Sequence, residues 1–509
     1  MANEGRTTKF LKNAIGSAIY QIVNAVCGMI TPHIMLKAYG SSVNGLVSSI
    51  TQFLSFLAIV EAGLALAAQQ SLYKPLAEKD NDRISSIVTA AKTAYNQVGG
   101  IFTLLTIVLA FLYPVFSGNE EMSYWTIVAL VFVLSMNYVL SFFVVSKYQV
   151  LFQADQKVYV ISLAKTAARI INTLCIIFLA SPNVPILLLR IIVSSSVLVQ
   201  ALIIGIYAKR NYKNINYNHP NPDKSALGQR WDALYLQILG SITASAPVII
   251  LTVVSTLEEV SVYSIYNMVF AALMGVLGIF INGINASFGT LLYSKERERT
   301  KAVYAEFENA YYLLISIIYT VTLIMIVPFV RIYTDGITDT NYLLPGLGIV
   351  FTANSFLYNL KTPQGMMVQA AGLFRKTRTQ NTIQALILLI FGLVLGYFWG
   401  IYGVLLASIL SNGYRCVDLF IFIPKQVTHD SPFSSFKRAG IMIMTSIALY
   451  LCADYVLKKI EISNVMSWII CAAIVFVFVT IIYLWIDFIF ERKYFRAVVF
   501  RLKALLRRK

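Results

Sequence analysis

Residues 209–230 read KRNYKNINYNHPNPDKSALGQR, and this is the longest polar stretch in a chain that is otherwise mostly apolar. Pro220 and Pro222 prevent a continuous helix here, because proline lacks a backbone donor and clashes with the preceding turn. Apolar segments at 184–208 and 231–255 flank the stretch. A bilayer crossing needs about 20 largely apolar residues, and both segments are long enough. The stretch therefore predicts a linker between two membrane-embedded halves.

Similar apolar segments fill most of the 509 residues, of which 58% are hydrophobic and 13% are charged. Their number predicts an all-α polytopic membrane protein with about fourteen transmembrane helices. The predicted spans are 10–36, 43–70, 86–116, 124–150, 156–180, 184–208, 231–255, 260–290, 303–332, 342–370, 379–399, 402–424, 438–457 and 464–490.

The breaks between these spans alternate in charge. Lys and Arg concentrate at 6–12, 74–83, 147–157, 209–230, 295–301, 375–378, 425–438 and in the tail 491–509. The neutral or acidic breaks are 117–121, 181–185, 256–259, 334–339 and 397–403. Because short basic loops stay in the cytoplasm, we expect each segment to cross the membrane once and both termini to be cytoplasmic.

The composition excludes several classes of function. The net charge of +17 lies largely in short loops, where contact with anionic headgroups explains it. We therefore expect membrane lipids as partners and no nucleic acid. The histidines lie far apart and the cysteines lie inside apolar segments, so we expect neither a metal site nor a cofactor. The sequence contains no Walker, HExxH or GxSxG motif, and no outer loop is long enough for a catalytic domain. It therefore gives no indication of an enzyme.

Weak internal similarity indicates a duplication. Four short matches recur 216 to 220 residues apart, including Leu72-Tyr73-Lys74 with Leu292-Tyr293-Ser294-Lys295. We expect an N-lobe of six spans, a cytoplasmic linker, a C-lobe of six spans, two further spans and a basic cytoplasmic tail. The corresponding ranges are 1–208, 209–230, 231–424, 425–490 and 491–509. A parallel repeat of this kind places a binding site between the lobes.

Five basic residues fall inside predicted spans: Arg169, Arg190, Lys361, Lys165 and Arg415. Each costs about 2.5–3.5 kcal/mol at a span centre. For Arg415, a local pair with Asp418 is an alternative, and Lys165 could instead extend toward the cytoplasmic end. The other three have no acid at i±3 or i±4. Their most favourable location is a cationic, water-filled cavity that attracts an anion such as a phosphate.

Two other polar features lie within spans. Gln21 and Asn24 belong to a polar face of span one, which could bind sugars or pack against another helix. Glu61 is the acid nearest a span centre. Coupling to a proton or sodium ion and a structural role as counter-charge are both open for Glu61.

Several motifs resemble those of Wzx-type polysaccharide and teichoic-acid flippases, over nearly the whole chain. They are GSSVNGL at 40–46, EAGL at 61–64, SLYKPLAEKD at 71–80, QADQK at 153–157, VSVYSIYN at 260–267 and AGLFRK at 371–376. This family belongs to the multidrug/oligosaccharidyl-lipid/polysaccharide exporter superfamily. The resemblance implies two six-helix lobes in a V-shaped bundle, with two extra C-terminal helices, in a bacterial plasma membrane. It also implies alternating-access transport of an undecaprenyl-diphosphate-linked oligosaccharide, as in capsule or teichoic-acid synthesis.

The resemblance and the buried bases together predict a lipid-linked oligosaccharide flippase. Arg169, Arg190 and Lys361 would bind the diphosphate, with Lys165 and Arg415 as further candidates, and Gln21 and Asn24 would face the sugars. The alternatives are a cation-coupled small-molecule exporter of the same superfamily and a polytopic polymerase or glycosyltransferase. The polymerase or glycosyltransferase would need paired carboxylates or a sizeable outer loop, and neither is evident in the sequence.

The charge alternation makes a direct prediction about topology. Reporter domains fused after Arg230 and after Lys509 should both report the cytoplasm, because both positions lie in basic breaks. A fusion after Asn183, in a neutral break, should report the opposite side. Reporters placing Arg230 and Lys509 on opposite sides would contradict the predicted even number of spans.

Overall fold

The computed structural model describes residues 6–117, 122–227, 231–293, 297–457, 459–460 and 462–496, and these ranges form sixteen α-helices without a strand. The helices are α1 (Arg6–Leu57), α2 (Leu64–Glu78), α3 (Asn81–Phe116), α4 (Tyr124–Leu140), α5 (Ser146–Ala154), α6 (Val158–Leu179), α7 (Ile186–Ser194), α8 (Ser196–Asn211), α9 (Trp231–Val254), α10 (Leu257–Tyr293), α11 (Arg297–Tyr333), α12 (Leu347–Leu360), α13 (Thr362–Ala370), α14 (Arg378–Ile423), α15 (Phe433–Leu457) and α16 (Val465–Phe490). The predicted all-α class is confirmed.

Eleven helical stretches of the described residues are long and apolar enough to cross a membrane. Two of them, of 51 and 54 residues, would each exceed ~75 Å as straight helices, more than twice the ~30 Å hydrocarbon core. Both bend at a glycine with positive φ, Gly40 (φ 79°) and Gly400 (φ 53°), so each stretch is long enough for two crossings. With the α12–α13 pair, the helices agree with the fourteen spans that the sequence predicts.

The bend at Gly400 folds α14 back on itself. A Cβ atom at Gly403 would lie 1.9 Å from the carbonyl oxygen of Leu395, so glycine is required at this close approach. The predicted break at 397–403 is therefore a one-residue joint between two helical arms.

The helices form two compact units, Met1–Ser264 and Ile265–Lys509. The first unit contains α1 to α9 and the first two turns of α10, and the second contains the remainder. This division differs from the lobe boundaries at 208 and 231 that the linker suggests. The predicted lobes stay a prediction.

Packing against α1 explains why α9 belongs to the first unit. Ser49 Oγ lies 2.7 Å from Thr252 Oγ1, and Asn44 Nδ2 donates to Ser261 Oγ at 2.8 Å. Between them, a Cβ atom at Gly45 would lie 1.8 Å from the carbonyl oxygen of Leu257. Close backbone approach at a small residue, supported by buried hydroxyl and amide bonds, is the usual way that membrane helices associate.

The basic breaks of the first unit gather at one end. Asp155, in the turn after α5, binds Lys9 at 3.0 Å and Lys157 at 2.9 Å, and it accepts a bond from the Tyr212 hydroxyl at 2.6 Å. These contacts join the start of α1, the turn before α6 and the end of α8. Three breaks that the charge pattern assigns to one side of the membrane therefore meet.

The linker joins the same end. His219 Nε2 lies 3.0 Å from Asp82, and Ser86 Oγ donates to the carbonyl of Asn221 at 2.6 Å. Both contacts fix the linker to the first turns of α3. At the opposite end, Tyr39 donates to the carbonyl of Val184 in a neutral break at 2.9 Å.

In the second unit, too, the basic breaks lie together at one end. Contacts between basic breaks are Lys301–Asp430 at 3.3 Å and Lys376–Gln426 at 2.8 Å. At its other end, Tyr402 donates to the carbonyl of Pro345 at 2.7 Å, and Trp468 donates to that of Met325 at 3.1 Å. Within each unit, the sorting of loops agrees with alternating crossings.

The Asp155 contacts predict a pH-dependent contribution to stability. Burial acts to raise the pKa of Asp155, but hydrogen bonds from Tyr212, Lys157 and Lys9 outweigh burial and hold that pKa below its usual range. A carboxylate with a lowered pKa stabilises the fold above its unfolded pKa of about 3.9, and this contribution is lost as the pH falls through the folded pKa. Asp155→Asn should therefore lower the Tm at neutral pH, by removing charge-assisted bonds worth about 1.5 kcal/mol each.

Thermal unfolding of the purified chain in detergent measures this effect. The Tm deficit of Asp155→Asn should shrink as the pH falls below about 4, where wild-type Asp155 is itself protonated. Glu78→Gln is the control, because Glu78 is an exposed acid paired with Lys74 at 3.8 Å within one helix. A deficit that is equal at every pH would contradict the charged role of Asp155.

Candidate functional site

Helix α1 lies parallel to α6 and positions the first group of candidate residues. Near the start of both helices, the Asn13 side chain accepts from the backbone N–H of Tyr159 at 2.9 Å. About four turns further along α1, a Cβ atom at Gly28 would lie 3.7 Å from Arg169 Nη2. Gln21 and Asn24 lie on the face of α1 that carries Gly28, because steps of three and four residues return to the same side of a helix. The polar face of α1 therefore runs toward the Arg169 guanidinium.

Arg169 and Arg190 form a positively charged pair between α6 and α7. Asn172 Nδ2 lies 3.5 Å from the carbonyl of Val193, which connects the two helices just beyond the arginines. Arg190 is within electrostatic range of Arg169 and of Tyr39. Each arginine has a fully buried Nε–H that finds no hydrogen-bond partner among the described residues. In the described parts of the chain no carboxylate forms an ion pair with either of them.

Unsatisfied guanidinium donors have a chemical consequence. Arginine carries five N–H donors in a planar fork that matches the oxygens of carboxylates and phosphates. A buried donor without an acceptor costs about 1–3 kcal/mol. Two guanidinium groups in this condition, within electrostatic range of each other, can bind an anion with several oxygens. A diphosphate meets this requirement because it offers acceptors to both forks at once.

Lys165 and Glu61 lie together in the same unit. Glu61 ends the short turn Ala58–Glu61 between α1 and α2, followed by Gly63 with a left-handed φ of 77°. Its carboxyl lies beside the Tyr95 hydroxyl and within electrostatic range of Lys165. Tyr95 itself is buried. The position of Lys165 therefore supports the alternative of Glu61 as a counter-charge, and ion coupling stays open beside it.

Lys361 lies in the second unit, at the junction of α12 and α13. Its Nζ donates to Asn412 Oδ1 at 2.6 Å and lies 4.7 Å from the centre of the Tyr358 ring. Asn412 in turn donates to Asn354 Oδ1 at 2.9 Å. The ammonium is thus held by an amide and an aromatic face, which stabilise it without neutralising its charge.

Arg415 differs from the other four bases. It is buried in α14 and forms an ion pair with Asp418, three residues further along. The structure contains the local Arg415–Asp418 pair, which was the alternative to an anion-binding role in the sequence analysis. Its charge is compensated, so Arg415 is the weakest of the anion-binding candidates.

Glu308 was not predicted, although it lies in a predicted span. Its carboxylate binds Arg438 Nη1 at 2.6 Å and joins α11 to α15. The only signal in the sequence is an acid five residues inside the span 303–332, with Arg438 at the start of a later span. A pair 130 residues apart leaves no trace in local spacing.

Comparison with known proteins depends on structure, since no family model and no curated protein matches the sequence. The chain is similar to a lipid II flippase, MurJ, in an inward closed conformation, with a TM-score of 0.67 and 13% identity over 94% of this chain and 99% of that one. An inward-facing multidrug resistance MATE family transporter of the MOP superfamily gives a TM-score of 0.64 and 12% identity, covering 85% and 99%.

A third structure adds a different member of the same fold group. It is a MOP superfamily transporter from Pyrococcus furiosus, described by a reverse polarity of its binding pocket, with a TM-score of 0.59 and 13% identity over 83% and 97% of the two chains. At sequence identities near 13%, these similarities concern the fold alone. The protein therefore has the fold of the MOP-superfamily transporters.

Proposed function

We propose that the chain is a flippase that moves an undecaprenyl-diphosphate-linked oligosaccharide across a bacterial plasma membrane by alternating access. The substrate would be a repeat unit of the capsule or teichoic-acid type, in keeping with the Wzx-type motifs. Both termini would lie in the cytoplasm, and the duplicated six-span lobes would be the moving parts.

The pairing of Arg169 with Arg190 is the observation that carries this proposal. Two half-buried guanidinium groups that have no carboxylate partner among the described residues favour an anionic substrate over a neutral or cationic one. A diphosphate linked to a lipid has the right charge, and its lipid keeps the charged group at membrane depth. The chain is similar in fold both to a lipid II flippase and to a multidrug transporter, so the fold does not distinguish these substrate classes. The positive charge of the two arginines is what favours a diphosphate-linked substrate in this proposal.

The other candidate residues have supporting roles in the proposal. Gln21 and Asn24, on the face of α1 that runs toward Arg169, would donate and accept hydrogen bonds with the sugars. Lys361 keeps an uncompensated charge and would also bind a phosphate oxygen. Lys165 lies near Glu61 and Arg415 is paired, so both would contribute less to affinity.

The proposal predicts the effect of removing each guanidinium. Arg169→Ala or Arg190→Ala should weaken binding of undecaprenyl diphosphate by about tenfold to hundredfold, which corresponds to one charge-assisted bond of about 1.5–3 kcal/mol. Arg→Lys at either position should restore binding in part only, because Lys lacks the bidentate fork. Lys361→Ala should also reduce affinity. Titration of the purified chain with undecaprenyl diphosphate measures the binding, and polymer export in cells measures transport at matched expression.

The control for this series is Arg83→Ala, since Arg83 is an exposed arginine of the same unit. It should bind and export as wild type does. Undecaprenyl monophosphate should bind more weakly than the diphosphate to wild type, and this difference should shrink in the Arg169→Ala variant. Wild-type export by Arg169→Ala, Arg190→Ala and Lys361→Ala alike would refute the anion site.

Glu61 allows a separate prediction about ion coupling. If Glu61 cycles a proton, Glu61→Gln should retain substrate binding and lose turnover, because the amide imitates only the protonated state. If Glu61 instead serves as counter-charge for Lys165, Glu61→Gln should lower the Tm, and adding Lys165→Gln should restore it. Binding, export and Tm measured for the two single variants and the double variant separate these roles. Unimpaired export by Glu61→Gln would exclude the coupling role.

A second candidate function is a cation-coupled small-molecule exporter, favoured by the structural likeness to multidrug transporters. Its coupling ion, a proton or sodium, would bind at Glu61. Efflux of cationic dyes by cells that overproduce the chain would support this function. The uncompensated bases disfavour cationic cargo, so we place it second.

A further inference from the structure

Helices α11, α15 and α16 share a buried polar interface in the second unit. Near the middle of these helices, Thr320 Oγ1 lies 2.9 Å from both Ser446 Oγ and the Tyr483 hydroxyl, and Ser446 lies 2.6 Å from Tyr483. A hydroxyl group can donate one bond and accept others, so these three groups satisfy one another. These three hydroxyl groups therefore need no further hydrogen-bond partner.

The end of the interface that lies near the basic breaks is charged. Glu308 is 1% exposed, and its Oε1 accepts bonds from Ser435 at 2.7 Å, Gln364 at 2.6 Å and Tyr304 at 3.1 Å. Its Oε2 binds Arg438 at 2.6 Å. Four donors thus surround one carboxyl group, and one of them is the Arg438 guanidinium.

A second carboxylate completes the charge balance around Arg438. Glu491 Oε2 lies 3.5 Å from Arg438, and its Oε1 lies 3.9 Å from Lys437. Two carboxylates thus face two bases. Glu308, Glu491, Arg438 and Lys437 together carry no net charge.

Asp487 lies between these two levels and is not balanced. It is 2% exposed, one turn from Tyr483 and one turn from Glu491 along α16. Among the described residues its carboxyl receives a single hydrogen bond, from Asn309 Nδ2 at 2.9 Å, and no ion pair. Arg438 is in electrostatic range but is engaged by two other acids, and Glu491 repels a negative charge at Asp487.

The Asn309 side chain provides the second observation. Its Oδ1 is buried and has no hydrogen-bond partner, and the residue as a whole is 1% exposed. The amide donates one bond to Asp487 as placed. Turned by 180°, it would put the carbonyl oxygen in the position of Nδ2, where it would accept a bond from a protonated Asp487. Asn309 can therefore serve either protonation state of its neighbour.

We propose that Asp487 is a proton-binding site within the α11–α15–α16 interface, with Asn309 as its hydrogen-bond partner. A buried carboxylate without a base is more costly than a buried neutral acid, so the folded chain binds this proton more tightly than the unfolded chain. One carboxyl and one amide offer too few oxygens for a metal cation, which takes six or more in the best-known sites. The site is independent of the proposed function, which uses the first unit and Lys361.

The proposal has a consequence for the last two helices. Glu308 and Asp487 lie in the same interface, yet among the described residues Glu308 has an arginine partner and Asp487 has none. The attachment of α16 to α11 therefore weakens when the proton leaves, because an uncompensated charge then remains in the interface. Rising pH should loosen this attachment, while the Glu308–Arg438 pair stays intact.

Infrared spectroscopy of the purified full-length chain tests the proton directly. Wild type at a pH of about 5 should show the carbonyl band of a protonated carboxyl group, and this band should lose intensity in Asp487→Asn and keep it in Glu308→Gln. In Asn309→Leu the band should move to higher frequency, because the carboxyl loses its partner. Equal bands in wild type and Asp487→Asn would overturn the proposal.

Thermal unfolding provides a second, independent measurement. The Tm of wild type should fall relative to Asp487→Asn as the pH rises from about 5 to about 9, because the amide cannot lose a proton. Glu308→Gln should lower the Tm at every pH, since it breaks an ionised pair. A deficit of Asp487→Asn that is constant with pH would show that Asp487 is ionised and overturn the proposal.

The same measurement in sodium and potassium buffers separates a proton from a cation. The pH dependence should be equal in the two salts. Stabilisation of wild type by sodium that Asp487→Asn lacks would identify a sodium site, and the proton-binding proposal would be wrong.

Discussion

The cost of leaving a polar group unsatisfied away from water determines most of this structure. In hydrocarbon an unpaired backbone N–H or carbonyl group costs several kcal/mol, so a chain that crosses the membrane many times must be helical or form a closed barrel. The described residues follow the helical solution throughout. The same cost moves lysines and arginines to the ends of the spans, where the Asp155 and Glu308 clusters collect them. Charges that remain within spans need a specific explanation.

Arg438 and Arg190 show two different explanations for the same side chain. Arg438 has two carboxylates and lies 4.6 Å from the Tyr494 ring, so its partners belong to the chain itself. Such a cluster fixes helices to one another, and removing one partner would leave the other charge stranded. Arg190 has a neighbouring guanidinium in range, and among the described residues no carboxylate forms an ion pair with it. Under the proposed function its partner would be the substrate.

The sequence predicted the features that depend on local composition. Span positions, the all-α class and the grouping of basic breaks follow from runs of apolar residues and short charged loops. The i, i+3 pair of Arg415 and Asp418 is also visible locally, and the structure contains it. The linker at 209–230 was predicted from the sequence only in part. Its contacts with α3 attach it to the first unit, which spacing alone does not indicate.

Contacts that arise from tertiary packing could not be predicted from the sequence. Lys165 lies about 100 residues from Glu61, and Asn412 lies 51 residues from Lys361, so neither contact has a periodic signature. The unbalanced position of Asp487 becomes visible only when the bonds of Arg438 are counted. Lone charges can be located from a sequence, but whether they are compensated is a property of the packed helices.

The joints at Gly40 and Gly400 have a mechanical consequence. Each joins two helical arms through a single residue with positive φ, without a connecting loop. A loop would absorb displacement of one helix before its neighbour responds. These joints cannot do so, and at Gly403 the two arms are already in backbone contact. A tilt of one helical arm should therefore move the other arm with it.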